Sequence, residues 1–109
     1  MTQSRDVFQA IADPTRRQII HLLASKPLNV NAIAEKFDMT RQAVSLHIQY
    51  LNDCGLIDIK QQGRERYCQA NIAKLDVVTD WVLESKKIWM HRFQSLDKFL
   101  QAKKKSNGK

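Results

Sequence analysis

Apolar residues recur along most of this chain at spacings of three and four, the mark of helices that bury one face. Val7, Phe8 and Ile11 predict a short first helix over residues 5–12. Asp13-Pro14-Thr15 then reads as a start signal. The Asp13 carboxylate can accept from the free amides of a first turn, and proline suits the first helical position. Ile19, Ile20, Leu22 and Leu23 supply the inner face of this second helix, which Pro27 stops. Asn29 is placed to cap a third helix with Val30, Ile33, Ala34 and Phe37 inward. Asp38-Met39-Thr40 makes a tight turn, and Thr40 caps a fourth helix over residues 41–54 whose Val44, Ile48 and Leu51 form the apolar stripe. Gly55 occupies the place of a left-handed C-terminal cap. Two short helices joined by a three-residue turn, the second polar on its outer face, are the pattern of a helix-turn-helix.

After Gly55 the period changes. Residues 56–60 (LIDIK) and 66–70 (RYCQA) are short β-prone runs joined by a Gly-containing connection, which predicts a hairpin with Lys60, Arg64 and Arg66 near its tip and Glu65 as the opposing charge. From Asn71 the helical period returns and is expected to last to about Gln101. Leu75, Val78, Val82, Trp89, Phe93, Leu96 and Leu100 form its seam, widened by Trp81, Ile88 and Phe99. A 30-residue helix is about 45 Å long, more than one small domain can cover. The seam therefore predicts a homodimer, with Val7 and Phe8 of the first helix joining Leu75, Val78, Val82, Trp89, Phe93 and Leu96 in the interface.

The 109 residues suffice for one domain, placed at residues 1–100 with the dimerisation helix at about 72–100. Lys and Arg number 18 against 11 acids, a formal net charge of +7 that points to a polyanionic partner. Four of those lysines fall in residues 101–109, expected to be a basic, disordered tail, which leaves +3 on residues 1–100. Cys54 and Cys68 lie fourteen apart, a spacing that suggests neither a disulfide framework nor a zinc ribbon. Cys54 reads as a small buried hydrophobe. Cys68 reads as the same, or as a redox-sensitive thiol favoured by Arg66 two residues away. No apolar run is long enough to span a bilayer and no leader is visible, so a cytoplasmic protein with no membrane partner is expected.

The fold class predicted is mainly α with a small β-hairpin wing, a winged helix-turn-helix with a long C-terminal dimerisation helix. ADPTRRQIIHLL (residues 12–23), AIAEKFDMTRQAVSLHIQYLNDCGLI (residues 32–57) and GRERY (residues 63–67) closely resemble the arsenical-repressor (ArsR) family of bacterial transcriptional repressors. Val44-Ser45, His47-Ile48, Leu51 and Gly55-Leu56-Ile57 are the most specific part of a match running from about Val7 to Leu100. Trp81, Trp89 and Leu96-Asp97 are similar to a branch that lacks the metal-sensing cysteines. The resemblance implies a dimer that binds an inverted-repeat operator in double-stranded DNA.

With Val44, Ile48 and Leu51 inward, the side chains left to face DNA are Arg41, Gln42, Ser45, Leu46 and Gln49, preceded by Thr40. Arg41 suits a guanine edge or a phosphate and Gln42 suits adenine. At Leu46 the branch usually has a basic or polar residue. An apolar touch on a thymine methyl and simple exposure are the two readings there. His47 matches a family histidine and fits either a phosphate contact or helix packing. Arg64 and Arg66 on the wing suit a minor groove or the backbone. Arg16 is a weaker phosphate candidate, and Arg17 is placed to pair with acids of the last helix.

Family members sense metals through cysteines of the third helix or through histidine and acid sets of the last one. Here the third helix begins Val30-Asn31-Ala32-Ile33-Ala34, and the last offers Asp76, Asp80, Glu84 and the single His91, so neither a metal nor another cofactor is expected and the effector is open. No Gly-rich phosphate loop or nucleophile set argues for an enzyme. The competing class is a winged-helix protein adaptor or antirepressor that does not read DNA.

Overall fold

Short polar caps decide where each helix of the first 55 residues starts and stops. The computed structural model describes the backbone of residues 6–107 and the side chains of residues 6–104. Helix α1 (Val7–Ile11) opens with the Asp6 carboxylate accepting from the Gln9 N–H, and α2 (Pro14–Ser25) opens with Asp13 accepting from the Arg16 N–H at 3.1 Å. Strand β1 (Leu28–Asn29) leads directly into α3 (Val30–Phe37), whose first turn is capped by Asn29 on the Ala32 N–H at 2.8 Å. Asp38 ends α3 in the left-handed region at φ 50°, and Thr40 starts α4 (Arg41–Asp53) by accepting from the Ala43 N–H at 3.1 Å.

Gly55 stops α4 as its sequence position predicts. Its φ is +81°, the Leu56 N–H reaches back to the Leu51 carbonyl at 3.0 Å and the Gly55 N–H to that of Asn52 at 3.0 Å. Those two bonds make a Schellman motif, and they satisfy carbonyls that the helix end would otherwise leave bare.

Strands β2 (Ile57–Gln62) and β3 (Glu65–Ala70) pair antiparallel, with Gln62 opposite Glu65. The two residues between them, Gly63 at φ +64° and Arg64, follow the pattern of a type II′ hairpin. The strands therefore run farther toward the tip than the sequence pattern suggests. Strand β1 adds to the other edge of β3, Leu28 facing Cys68, to give the order β1-β3-β2. This third strand escapes sequence reading because it is two residues long and its partner lies 40 positions away.

The core of this part is Val7, Ala10, Ile19, Ile20, Leu23, Ile33, Val44, Ile48, Leu51, Cys54, Leu56, Ile57 and Cys68. It contains the α4 stripe and both cysteines, so the recognition of inward faces by period alone succeeds there.

A 3₁₀ turn (Ile72–Leu75) precedes α5 (Asp76–Asn107), in place of the single unbroken helix expected from Asn71. Helix α5 continues through residues 101–107, where the sequence predicts a disordered tail. Ala102 and the lysines that follow are good helix formers, and cations at a helix C-terminus suit the negative end of its dipole. Gly108 and Lys109, like residues 1–5, lie outside the described residues. The chain divides into two compact units after Val77, where its length predicts one domain. The second unit is most of α5, a helix that carries its apolar side chains exposed. Among the described residues, no helix is long and apolar enough to cross a membrane.

Candidate nucleic-acid interface

The buried stripe of α4 sorts every other side chain on that helix. At about 100° per residue, Arg41, Gln42, Ser45, Leu46 and Gln49 fall together on one flank of Val44, Ile48 and Leu51, while His47 falls on the other flank. The first five are exposed and His47 is half-buried. The outward face expected from sequence is thus the one the structure presents.

The wing meets that face. Arg41, Ser45 and Gln49 of α4 line an open cleft of about 360 Å³ with Arg64 and Arg66 of the hairpin and with Asn29, Val30 and Asn31. Ile48, Ile59, Cys68 and Glu65 complete its lining. Glu65 is the one acid of the lining, and Asn29 Nδ2 donates to its Oε2 at 2.7 Å. Among the described residues, Arg41, Arg64 and Arg66 form no ion pair. Three exposed arginines thus line one opening, an arrangement that favours a phosphodiester backbone. The place of Glu65 in the cleft and the second bond of Asn29 are missed in the sequence, because the two partners are separated by 36 positions, and Asn31 is missed as a lining residue.

Other predicted residues divide by what already holds them. The Thr40 hydroxyl accepts from a helix amide, which leaves its O–H free to donate to a phosphate. Gln49 Nε2 donates to Asp53 Oδ1 at 2.9 Å, so Gln49 enters the cleft tethered along its own helix. Gln42 and Leu46 stand on the exposed flank outside the cleft lining. His47, half-buried on the other flank of α4, does not line the cleft. Burial alone would raise the Asp13 pKa. The Arg16 and Thr15 amides outweigh it, joined by the Arg16 guanidinium and His47, and hold the carboxyl below its ordinary value.

Arg16 is committed to structure. Its Nε donates to the Ala10 carbonyl at 2.8 Å and its Nη2 to Gln9 at 3.0 Å, and the guanidinium stacks 4.1 Å from the Tyr50 ring centre. Arg17 Nη1 donates to the Ile11 carbonyl at 2.7 Å, where a pairing with distant acids is expected from sequence. Five residues of α1 cannot close their own last carbonyls, so α2 supplies the donors. Cys68 corrects another expectation: burial pushes its thiol pKa up, and the opposing pull of Arg66 is the smaller influence.

Of the residues expected at a dimer interface, Val7 is buried inside the first unit, because α1 turns Val7 and Ala10 inward. It is spent in the protomer's own core and leaves Phe8 facing outward. Leu75 and Val78 are half-buried, and Val82, Trp89, Phe93 and Leu96 are exposed along α5.

The family model for bacterial regulatory proteins of the arsR family matches residues 13–58, from the α2 cap through the helix-turn-helix to the first residues of the wing. The transcriptional repressor SdpR of Bacillus subtilis is 33% identical over 78 residues, 72% of this chain and 87% of that protein. The structure of an ArsR-like transcriptional regulator from Rhodococcus sp. RHA1 superposes with a TM-score of 0.82 at 26% identity, covering 88% of each chain. The solution structure of a homodimeric winged helix-turn-helix DNA-binding domain from Mycobacterium bovis superposes with a TM-score of 0.61 at 30% identity, covering 72% of this chain and 75% of that one. Coverage of that extent by relatives at these identities, on the fold just described, makes this chain a winged helix-turn-helix member of the arsR family of bacterial transcriptional regulators.

Proposed function

We propose that this chain is a homodimeric repressor that binds an inverted-repeat operator in double-stranded DNA, works in the cytoplasm and has no catalytic activity. The observation that carries the reading is the shared cleft: Arg41, Ser45 and Gln49 of α4 open onto the same space as Arg64 and Arg66 of the wing. Helix α4 lies in the major groove with its N-terminal turns toward the bases. Arg41 addresses a guanine edge or a phosphate, Gln42 an adenine edge, and Ser45 accepts or donates as the base requires. The Thr40 hydroxyl and the two wing arginines hold the backbone.

One helix of this size binds weakly alone. A two-fold dimer formed through Phe8, Val82, Trp89, Phe93 and Leu96 doubles the contact and sets half-sites about 10 base pairs apart. The Bacillus relative is named a repressor and the Mycobacterium bovis domain a homodimer, and both support this reading.

The test is a fluorescence-anisotropy titration against DNA from upstream of the coding sequence, with scrambled DNA beside it, at two salt concentrations. Binding about a thousandfold tighter to the upstream DNA is expected. Arg41→Ala should erode that preference. Arg64→Ala should weaken both DNAs alike and lower the salt slope by about one. Equal, steeply salt-dependent binding to both duplexes would overturn sequence reading and bring the adaptor class forward.

A further inference from the structure

Leu46 is 74% exposed, and between Val7 and Ala70 the only other exposed large hydrophobe among the described residues is Phe8, at 38%. It points away from the core stripe and stands among Arg41, Gln42, Ser45 and Gln49, all exposed and polar. A leucine placed so gains little burial from its own chain. On the helix it follows Gln42 by four residues, so the two side chains share one face, a turn apart. In a major groove the base edges offer one apolar group, the C5 methyl of thymine.

We propose that Leu46 is a specificity-determining residue that reads the C5 methyl of thymine, beside the base edge addressed by Gln42. The proposal rests on α4 being the helix that enters the groove. It gives the operator a chemical requirement: a 5-methylpyrimidine at one fixed place in each half-site. Cytosine there lacks the methyl, and a guanidinium or lysine at position 46 would hold a phosphate without distinguishing thymine from cytosine.

The experiment separates this from DNA binding itself. A duplex is selected from a random pool by the full-length protein, and its thymidines are replaced one position at a time by deoxyuridine, which removes the methyl and leaves every hydrogen-bonding group in place. Wild-type protein should lose about fourfold affinity at one thymine per half-site, the worth of burying one methylene-sized group, and about fifteenfold when both half-sites are changed. Leu46→Ala, an exposed change to the best helix former, should bind the thymine duplex more weakly and bind thymine and uracil duplexes equally. Leu46→Gln should behave in the same way, which guards against a peculiarity of the alanine variant.

Specific binding with no methyl-sensitive position overturns the role of Leu46 and leaves the repressor reading intact. So does a methyl sensitivity that survives in both variants. Failure to select any duplex overturns the repressor reading, and the role of Leu46 falls with it.

Discussion

The first unit and α5 treat their apolar residues in opposite ways. In the first unit, Ile19, Ile33, Leu51, Leu56 and Ile57 are 2% exposed or less, and the starts of α1, α2, α3 and α4 each carry a side-chain cap. In α5, Trp89, Phe93 and Phe99 are each more than 60% exposed. The same 3.6-residue period runs through both. What differs is where the matching surface comes from: in the first unit it is another element of the same unit, and in α5 the proposed homodimer assigns it to a second copy of the chain. Periodicity identifies a face that wants burial and is silent about which chain will cover it.

The largest expected effect tests the self-sufficient side. Leu51→Ala should cost about 2–5 kcal/mol of unfolding free energy, as cavity-forming truncations do. Urea denaturation at two protein concentrations should give the same loss at both, and a loss under about 1 kcal/mol would mean that the α4 stripe is not seated as described. Trp89→Glu probes the other side. It should weaken self-association about thirtyfold, the level of an interface hot spot. Sedimentation velocity should show monomer at concentrations where wild type is dimeric, with the helical content of the first unit retained. A Trp89→Glu protein that remains dimeric would show that α5 is covered in some other manner.

Gly55→Ala should cost about 1–2 kcal/mol, because an alanine resists the left-handed region. Its Cβ would also come within 3.3 Å of Lys74 Cε, though that flexible side chain can withdraw. Thermal melting of the variant reads the loss directly, and an unchanged melting temperature would mean that α4 ends differently from the Schellman motif described.

The smallest effect is a pH dependence. Folding lowers the Asp13 pKa from its ordinary 3.8, so the stabilisation is complete above that value and disappears as pH falls through the lower folded value. Asp13→Asn keeps a good cap without the charge. The difference in melting temperature between wild type and Asp13→Asn should therefore shrink between pH 5 and pH 3, on the order of the ordinary carboxyl titration. A constant difference across that range would remove Asp13 from the account.

Much of the first unit was legible because its signals are local. Asp13, Asn29, Thr40 and Gly55 each cap a helix end within five residues of their own position, and those capping roles follow from residue type and place. The outward face of α4 followed from its stripe in the same manner. What escaped depends on distant partners. Strand β1 exists only because Cys68 and Tyr67 offer it an edge. Val7 is buried inside the first unit, though its spacing fits an interface equally well. Arg16 resembles a phosphate ligand in sequence, and only the nearness of the Gln9 and Ala10 carbonyls and the Tyr50 ring gives it another task. The wing arginines were legible as a cationic tip, but their meeting with Arg41 across one cleft was not.

Asn29 uses both ends of one small amide. Its Oδ1 starts α3 and its Nδ2 holds Glu65 on the wing. Aspartate at that position would start the helix as well but would set two carboxylates against each other, and serine would start it without the reach to the wing. The two bonds make Asn29 a rivet that joins the first turn of α3 to the wing. Glu65 stands between Arg64 and Arg66, so the side chain that starts α3 also fastens the hairpin beside its two arginines.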